Sequence, residues 1–341
     1  MESNLTKLGS SLKVPIVQEL AKKTLATVPP RYVRLDQPLP SNLSSSLPEI
    51  PVIDFQKLFD VDFMDIELHK LHNACKEWGF FQVINHGVDS EVIDTVKLEI
   101  QEFFNLPIEE KERYNQEAGD LEGYGQAFVV SEEQKLDWAD MFYILTLPTH
   151  LRKPHLIPKL PATFRDAIES YSAEVKTLGM EILNQIEKGL KMKSEEIKIQ
   201  FEERVMQSMR MNYYPPCPQP ELVTGLCPHS DASGLTILLQ VNEVEGLQIK
   251  KDGIWVPVSP ISGAFVINIG DILEILTNGI YRSIEHRATV NGQRERLSVA
   301  TFLFGKLDSE LGPAPSLVDF ENPAKFKTIG VAEFLRQFFI Y

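Results

Sequence analysis

The spacing of apolar residues changes near residue 208 and divides the chain into two parts. Before that point, apolar side chains recur every three or four positions, which predicts helices. Gly79 stands where the second helix should end, and Asp89 stands where the third should begin, as an N-cap. Short apolar runs over residues 50–54 and 80–84 predict strands between these helices. The predicted helices cover residues 14–25, 67–78, 89–104 and most of 161–193.

After residue 208, short apolar segments alternate with Gly, Pro and Asn, which predicts many short strands joined by turns. Lys251-Asp252-Gly253 has the composition of a β-hairpin turn. Such a pattern is typical of a sandwich or jelly roll. We therefore predict an α+β, mainly β fold, with flanking helices and an extended linker over residues 38–48. The predicted strands cover residues 209–214, 235–241, 246–250, 255–258, 264–269 and 296–304.

Composition narrows the class of protein. The chain has 341 residues, of which 43% are hydrophobic, enough for a sizeable core. Its net charge of −14 argues against nucleic acid or an anionic membrane surface as a main partner. Three cysteines without a CxxC pair predict neither a disulfide framework nor a zinc ribbon. With no signal-peptide pattern and no membrane-length apolar run, we expect a monomer in the cytoplasm, or also in the nucleus.

The candidate metal ligands are His229, Asp231 and His286. In a strand, residues i and i+2 project from the same face, so His229 and Asp231 could reach one ion. His286 lies in a second alternating segment. Two imidazoles and one carboxylate form the facial triad of non-haem Fe(II) oxygenases, and zinc hydrolases use the same set. Zinc hydrolases also need a general base beside the metal-bound water, and no HExxH helix supplies one, so iron is favoured.

Arg296 and Ser298 are the candidate carboxylate-binding residues. Arg296 could be a surface residue in the charged run 294–296, but residues 297–304 are predominantly apolar, which favours a buried strand. The planar guanidinium can bind a carboxylate through two hydrogen bonds, and Ser298 adds a hydroxyl on the same strand face.

Longer segments of the chain resemble the plant 2-oxoglutarate/Fe(II)-dependent dioxygenases, from about Val14 nearly to the C-terminus. Two further segments, residues 128–132 (FVVSE) and 136–140 (LDWAD), place the resemblance nearest to the senescence-related-gene branch, which includes alkaloid O-demethylases. The main matching segments are residues 78–87 (WGFFQVINHG), 211–218 (MNYYPPCP), 228–231 (PHSD), 268–271 (NIGD), 283–287 (SIEHR) and 296–298 (RLS).

The resemblance implies a double-stranded β-helix core in which His229, Asp231 and His286 hold Fe(II). It also implies an N-terminal dioxygenase region over residues 50–150 and a jelly-roll domain over residues 205–305. We expect residues 306–341 to be a C-terminal segment about twenty residues shorter than in relatives, an analogy at the level of fold.

By the same resemblance, 2-oxoglutarate would chelate the iron and consume O2, releasing succinate and CO2, with ascorbate as reductant. Its distal carboxylate would pair with Arg296 and Ser298, and Tyr214, with Asn212 nearby, would help to position the co-substrate. The family pattern also contains Asn268, Gly270 and Asp271, which we expect to shape turns and the fold without a part in the chemistry.

Four residues are expected to face the substrate by analogy with the family, although ordinary core positions would explain them equally well: Met141, Tyr143, Phe302 and Phe304. Such an aromatic pocket suits a flat plant specialised metabolite, an alkaloid or a phenolic. Hydroxylation, O- or N-demethylation and desaturation all remain open.

Two other functions remain open at this level. A truncated relative could bind small molecules with weak turnover or none. Alternatively, an oxidase could use Arg296 and Ser298 to hold the carboxylate of its own substrate in place of 2-oxoglutarate.

Overall fold

The computed structural model describes residues 11–23, 25–35, 48–117, 120–126, 128–159, 161–192, 196–202 and 205–340. The linker predicted over residues 38–48 lies almost wholly outside these ranges. The α-helices are α1 (Val17–Ala21), α2 (Met64–Asn73), α3 (Ser90–Asn105), α4 (Ile108–Lys111), α5 (Phe164–Gly189), α6 (Asp271–Leu276) and α7 (Val331–Ile340). The strands are β1 (Val52–Asp54), β2 (Phe80–Ile84), β3 (Gly123–Gly125), β4 (Asp140–Leu147), β5 (Met206–Tyr214), β6 (Leu226–His229), β7 (Leu235–Gln240), β8 (Leu247–Lys251), β9 (Ile254–Pro257), β10 (Phe265–Ile269), β11 (His286–Ala288), β12 (Arg296–Phe304), β13 (Glu310–Leu311) and β14 (Ile329–Gly330).

The predicted helix ends at Gly79 and Asp89 are confirmed. Helix α2 continues through a π-helical turn to Trp78, and Gly79 follows in the left-handed conformation with φ of +61°. A Cβ at Gly79 would lie 2.3 Å from the carbonyl oxygen of Arg282, so this close approach requires glycine. Asp89 caps α3, because its carboxylate accepts a hydrogen bond from the Glu91 amide at 2.8 Å.

The first helix is shorter than predicted. Residues 14–25 were expected to be helical, whereas α1 has five residues, Val17–Ala21. Pro15 restricts the residue before it to extended conformations, which delays the start of the helix. At the other end the chain turns at once, and the Leu25 amide donates to the Lys23 carbonyl at 2.7 Å.

Two sheets form the predicted jelly roll. The larger sheet has eight strands in the order β1-β2-β10-β7-β12-β5-β4-β3, and the smaller has four in the order β6-β11-β8-β9. Helices α2, α3 and α5 pack together on the outside of the larger sheet, and α5 contacts β7 and β12. The Lys251–Gly253 turn joins β8 and β9 as predicted, with positive φ at Asp252 and Gly253.

Strands β5 and β12 carry the residues that matter for the site. They pair antiparallel over their whole length, with Tyr214 opposite Arg296 and Asn212 opposite Ser298. Successive side chains of a strand point to opposite faces. On β5, Met209, Met211 and Tyr213 pack into the main apolar core, whereas Arg210, Asn212 and Tyr214 line the cavity between the sheets.

The C-terminal helix α7 lies near this space, since Phe338 is among the residues that line it. Among the described residues, no helix is both long enough and apolar enough to cross a membrane.

Candidate active site

The three predicted metal ligands lie together between the two sheets. His229 ends β6, His286 begins β11, and the two are opposite one another in the antiparallel pair. The Nε2 atoms of His229 and His286 lie 3.6 and 3.7 Å from Oδ1 of Asp231. All three ligand atoms lie within 4.8 Å of one another, so one ion could contact them all.

Asp231 reaches this position in a way that the sequence did not predict. We expected His229 and Asp231 to project from one face of a strand, but β6 ends at His229 and Asp231 lies in the following loop. The Asp231 carbonyl accepts a hydrogen bond from the Asp271 amide, at 2.8 Å, at the start of α6. The loop therefore turns away from β11 and is fixed by α6, while the carboxylate still points at the imidazoles.

Hydrogen bonds around the triad orient each ligand. Nδ1 of His229 lies 2.8 Å from the Cys227 carbonyl, and Nδ1 of His286 lies 3.1 Å from the Ile284 carbonyl. A carbonyl can only accept, so each Nδ1 carries the proton and each Nε2 keeps its lone pair for a metal.

Two donors hold the far oxygen of the Asp231 carboxylate. Oδ2 accepts hydrogen bonds from Thr236 Oγ1 at 2.7 Å and from Asn268 Nδ2 at 2.8 Å. Thr236 and Asn268 are opposite one another on β7 and β10, so both reach Asp231 from one face. Asn268 was expected only to shape a turn. Its side chain instead positions a candidate ligand, which sequence spacing could not reveal because the two residues are 37 positions apart.

The electrostatics of the site suit a divalent cation. Burial lowers the pKa of His229, and the neighbouring His286 lowers it further, which favours the neutral imidazole. Burial alone would raise the pKa of Asp231, but the two imidazoles and the bonds from Asn268 and Thr236 together lower it. Two imidazoles and one carboxylate, with room on the cavity side, fit Fe(II). Among the described residues that line the cavity Asp231 is the only carboxylate, so no general base supports the zinc hydrolase alternative.

Arg296 is buried, with 2% of its surface exposed, and has no carboxylate partner among the described residues. Its guanidinium donates to Gln240 Oε1 at 2.9 Å and to Ser298 Oγ at 3.4 Å, while Nε is buried without a partner. Burial lowers the pKa of Arg296. A buried cation without a counter-ion is costly, so this site fits an anionic ligand. The alternative of a surface salt bridge is excluded by the burial.

Tyr214 and Asn212 complete this group as the sequence predicted. The guanidinium carbon of Arg296 lies 5.2 Å from the centre of the Tyr214 ring, and Asn212 Nδ2 lies 3.4 Å from Ser298 Oγ. Two glycines leave the room that these side chains occupy. A Cβ at Gly246 would lie 2.7 Å from Cδ of Arg296, and one at Gly225 would lie 2.6 Å from the Tyr214 ring.

One cavity contains the triad, the Arg296 group and all four predicted substrate-facing residues, Met141, Tyr143, Phe302 and Phe304. Phe80, Phe128 and Phe338, which were not predicted, also line it. Burial raises the pKa of Tyr143 to about 12, so its phenol stays neutral and donates to Ser208 Oγ at 2.8 Å.

Sequence reasoning missed Arg210, which lines the cavity together with Arg296 and Arg287. It lies on β5 between Tyr143 on β4 and Ala300 on β12. Its Nε is buried without a hydrogen-bond partner, and the nearby Asp137 pairs instead with Arg34 at 3.0 Å. The alternation Arg210, Asn212, Tyr214 contained the information needed to find it, because all three share one strand face.

A jelly roll that holds two histidines and one carboxylate beside a buried, unpaired arginine defines a non-haem iron oxygenase with an anionic co-substrate. Two family models match the chain: the 2OG-Fe(II) oxygenase superfamily over residues 205–305, and the non-haem dioxygenase in morphine synthesis N-terminal region over residues 50–160. The chain belongs to the 2-oxoglutarate/Fe(II) oxygenase family and is a 2-oxoglutarate-dependent dioxygenase. The prediction of this family and of its fold is confirmed.

Several known proteins are similar to this chain over nearly its whole length. Oxoglutarate-dependent flavonoid 7-O-demethylase 1 from Ocimum basilicum is 61% identical, over 97% of this chain and 89% of that protein. Thebaine 6-O-demethylase from Papaver somniferum is 55% identical, over 96% of this chain and 92% of that protein. A crystal structure of JOX2 in complex with 2OG, Fe and JA has a TM-score of 0.86 and 37% identity, covering 97% of this chain and 95% of that one.

Proposed function

We propose that this dioxygenase removes a methyl group from an oxygen of a flat aromatic plant metabolite, with a phenolic methyl ether as the substrate class. The observation that carries the proposal is the cavity itself. It contains the metal triad and Arg296, aromatic side chains line it, and Arg210 lines it with a buried Nε that has no hydrogen-bond partner among the described residues. The similarity to flavonoid and thebaine O-demethylases supports demethylation as the reaction.

Each group of residues in the cavity has a separate role. His229, Asp231 and His286 would hold Fe(II), which when bound supplies the oxidising power through its reaction with O2 and 2-oxoglutarate. Arg296 and Ser298 would bind the distal carboxylate of 2-oxoglutarate, and so orient its keto acid end toward the triad. Oxidation of the O-methyl carbon gives a hemiacetal that releases formaldehyde and the free phenol, while 2-oxoglutarate becomes succinate and CO2.

Arg210 favours a phenolic substrate over an alkaloid. A guanidinium binds electron-rich oxygen atoms, such as phenolate or ring carbonyl oxygens, and repels a protonated amine. The aromatic side chains Phe302 and Phe304 would cover the faces of a flat ring system. Hydroxylation of the same substrates is the second candidate, because it shares every step up to oxidation of the carbon.

The proposed setting is a monomer in the cytoplasm, with ascorbate keeping the iron reduced. The three free cysteines support a reducing compartment, since Cys75, Cys217 and Cys227 form no disulfide.

The test uses purified protein with Fe(II), ascorbate, 2-oxoglutarate and two sets of candidates: methoxylated flavones, and alkaloid methyl ethers such as thebaine. We expect formaldehyde and succinate in equal amounts with the flavones, and neither product when 2-oxoglutarate is omitted. Turnover without 2-oxoglutarate would indicate the oxidase alternative. Succinate without formaldehyde would indicate hydroxylation, and turnover of the alkaloids alone would contradict the role given to Arg210.

His229→Ala and Asp231→Ala test the metal site directly. Both variants should lose measurable turnover and bound Fe(II), and activity that survives either change would overturn the assignment. Binding of substrate with no turnover in the unaltered protein would support the non-catalytic relative.

A further inference from the structure

Residues 128–137, termed here the rim loop, form part of the entrance to the active-site cavity. Phe128 lines the cavity, is 37% exposed and has φ of +62°. A bulky residue rarely adopts positive φ, and such a conformation persists only where the surrounding contacts enforce it. The contacts that enforce it therefore determine how this edge of the cavity is shaped.

Within the rim loop, Gln134 holds the Phe128 backbone. Its amide nitrogen Nε2 donates to the Phe128 carbonyl at 2.8 Å, and its Oε1 accepts from the Val130 amide at 2.8 Å. These two bonds close the loop on itself around Phe128. The loop is short and much of it is exposed, so further contacts must hold it against the body of the protein.

Those further contacts come largely from residues 11–23 and 25–35, termed here the N-terminal strap. Arg31 donates from Nε to the Gln134 carbonyl at 3.1 Å and from Nη2 to the Ser131 carbonyl at 2.9 Å. The Arg31 carbonyl accepts from the Leu136 amide at 3.0 Å. The Leu12 amide donates to the carbonyl of Val129, the residue after Phe128, at 2.7 Å.

Apolar packing joins the same two segments. Val129 and Leu136 of the rim loop are buried in one cluster with Val14 and Val17 of the strap. This cluster also includes Trp138, which follows the rim loop, and Tyr214 of the co-substrate group. The Tyr32 ring meets the Trp138 ring edge-to-face, with their centres 5.2 Å apart. At the end of the loop, Arg34 pairs with Asp137 at 3.0 Å. The strap thus contacts the rim loop at its beginning, middle and end.

We propose that the N-terminal strap sets the shape of the cavity entrance, with Arg31 as the positioning residue that holds the rim loop and Phe128 in place. Neither family model covers the strap, since their matches begin at residue 50. Arg31 touches no residue of the triad or of the Arg296 group, so its influence on the substrate passes through Gln134 and Phe128.

The experiment compares Arg31→Ala and Arg31→Lys with Arg113→Ala. Arg113 is a matched control because its side chain is 66% exposed and pairs only with Glu110 within one helical turn. We expect faster amide hydrogen exchange over residues 128–137 in Arg31→Ala, an intermediate rate in Arg31→Lys and no change in the control. Unchanged exchange in folded Arg31→Ala would overturn the proposal.

A double-mutant cycle with Phe128→Ala measures the consequence for a methoxylated flavone. Arg31→Ala should raise the substrate KM by about three- to tenfold, the effect of losing one ordinary hydrogen bond, and Phe128→Ala should raise it at least as much because it removes the ring that Arg31 holds in place. The co-substrate KM should stay unchanged. If Arg31 acts through Phe128, the double variant should resemble Phe128→Ala alone. Fully additive effects of the two substitutions on the substrate KM, or an equal change in the substrate KM and the co-substrate KM, would refute the proposal that Arg31 acts through Phe128.

The proposed function enters only in the choice of flavone. If the proposed function is wrong, the unaltered protein will not turn over the flavone. Hydrogen exchange needs no substrate, so it still decides whether the strap holds the rim loop.

Discussion

Gly246→Ala should weaken 2-oxoglutarate binding without changing any of the residues proposed to bind it. Gly246 precedes β8, and its carbonyl accepts a hydrogen bond from the Thr289 amide at 2.8 Å. A Cβ at this position would lie 2.7 Å from Cδ of Arg296, 3.1 Å from Nε of Arg296 and 2.9 Å from the Thr289 carbonyl oxygen. Carbon atoms in ordinary contact are about 3.5–4.0 Å apart, so Cδ of Arg296 must move by roughly 0.8 Å, and the contact with the Thr289 carbonyl oxygen must also relax by a smaller amount.

The Arg296 side chain is the neighbour expected to move. The Thr289 carbonyl oxygen belongs to the backbone, and its residue is tied to Gly246 by the hydrogen bond just described, whereas Cδ and Nε belong to a side chain. Moving the guanidinium spoils the geometry of a charge-assisted hydrogen bond to the co-substrate carboxylate, worth about 1.5–3 kcal/mol. At about 1.4 kcal/mol for each factor of ten, the dissociation constant for the co-substrate should rise about 10- to 100-fold.

Calorimetric titration of 2-oxoglutarate into protein loaded with Mn(II) under nitrogen measures this dissociation constant without turnover. Gly292→Ala is the matched control, since the nearest atom to a Cβ there is the Cys217 carbonyl oxygen at an ordinary 3.6 Å. At saturating 2-oxoglutarate, kcat of Gly246→Ala should be within about twofold of the unaltered enzyme, because the change removes ground-state binding. A folded Gly246→Ala protein with an unchanged dissociation constant would refute the claim that Gly246 leaves necessary room for Arg296.

Three further predictions concern the metal site, Arg210 and the loop that contains Asp231. Asn268→Leu removes one of the two donors to Asp231 and should weaken Co(II) binding by about 10- to 100-fold, as measured by absorption titration. Asn242, whose side chain bonds to the Glu295 backbone, is the control, and Asn242→Leu should leave Co(II) binding unchanged. Arg210→Met should raise the KM for a methoxylated flavone by about 10- to 100-fold and leave the co-substrate KM unchanged, with Arg210→Lys in between; an unaltered flavone KM would contradict the proposed substrate contact. Gly270→Ala places a Cβ 2.0 Å from the Ser233 carbonyl oxygen, so we expect lower thermal stability and reduced metal binding; a variant with native melting temperature and Co(II) affinity would show that the Asp231 loop tolerates the shift.

Local chemistry made much of the fold predictable. The boundaries of β12 agree with the predicted 296–304, because an uninterrupted apolar strand carries the same pattern wherever it packs. Gly79 and Asp89 mark helix ends through their own backbone and side-chain chemistry, which depends little on distant residues. The first helix was overestimated because apolar spacing continues through residues that Pro15 and the turn at Lys23 keep from being helical.

The candidate site was predictable where its residues are close in sequence or form a known family pattern, and not elsewhere. Thr236 and Asn268 were missed because their contact with Asp231 arises from the pairing of β7 with β10. Arg210 is one of 34 basic residues, and its place in the cavity follows from the register of β5 between β4 and β12.

The sequence by itself determined the family and the alternation of strands and predicted the candidate triad and the Arg296 group, because these depend on residue type and short-range spacing. The tertiary structure alone decided that Asp231 lies in a loop, that Gly246 and Gly225 leave room for Arg296 and Tyr214, and that the strap holds Phe128 at the cavity entrance. Each of these features joins residues that are brought together only by sheet pairing and packing, and a linear pattern carries no record of such distances.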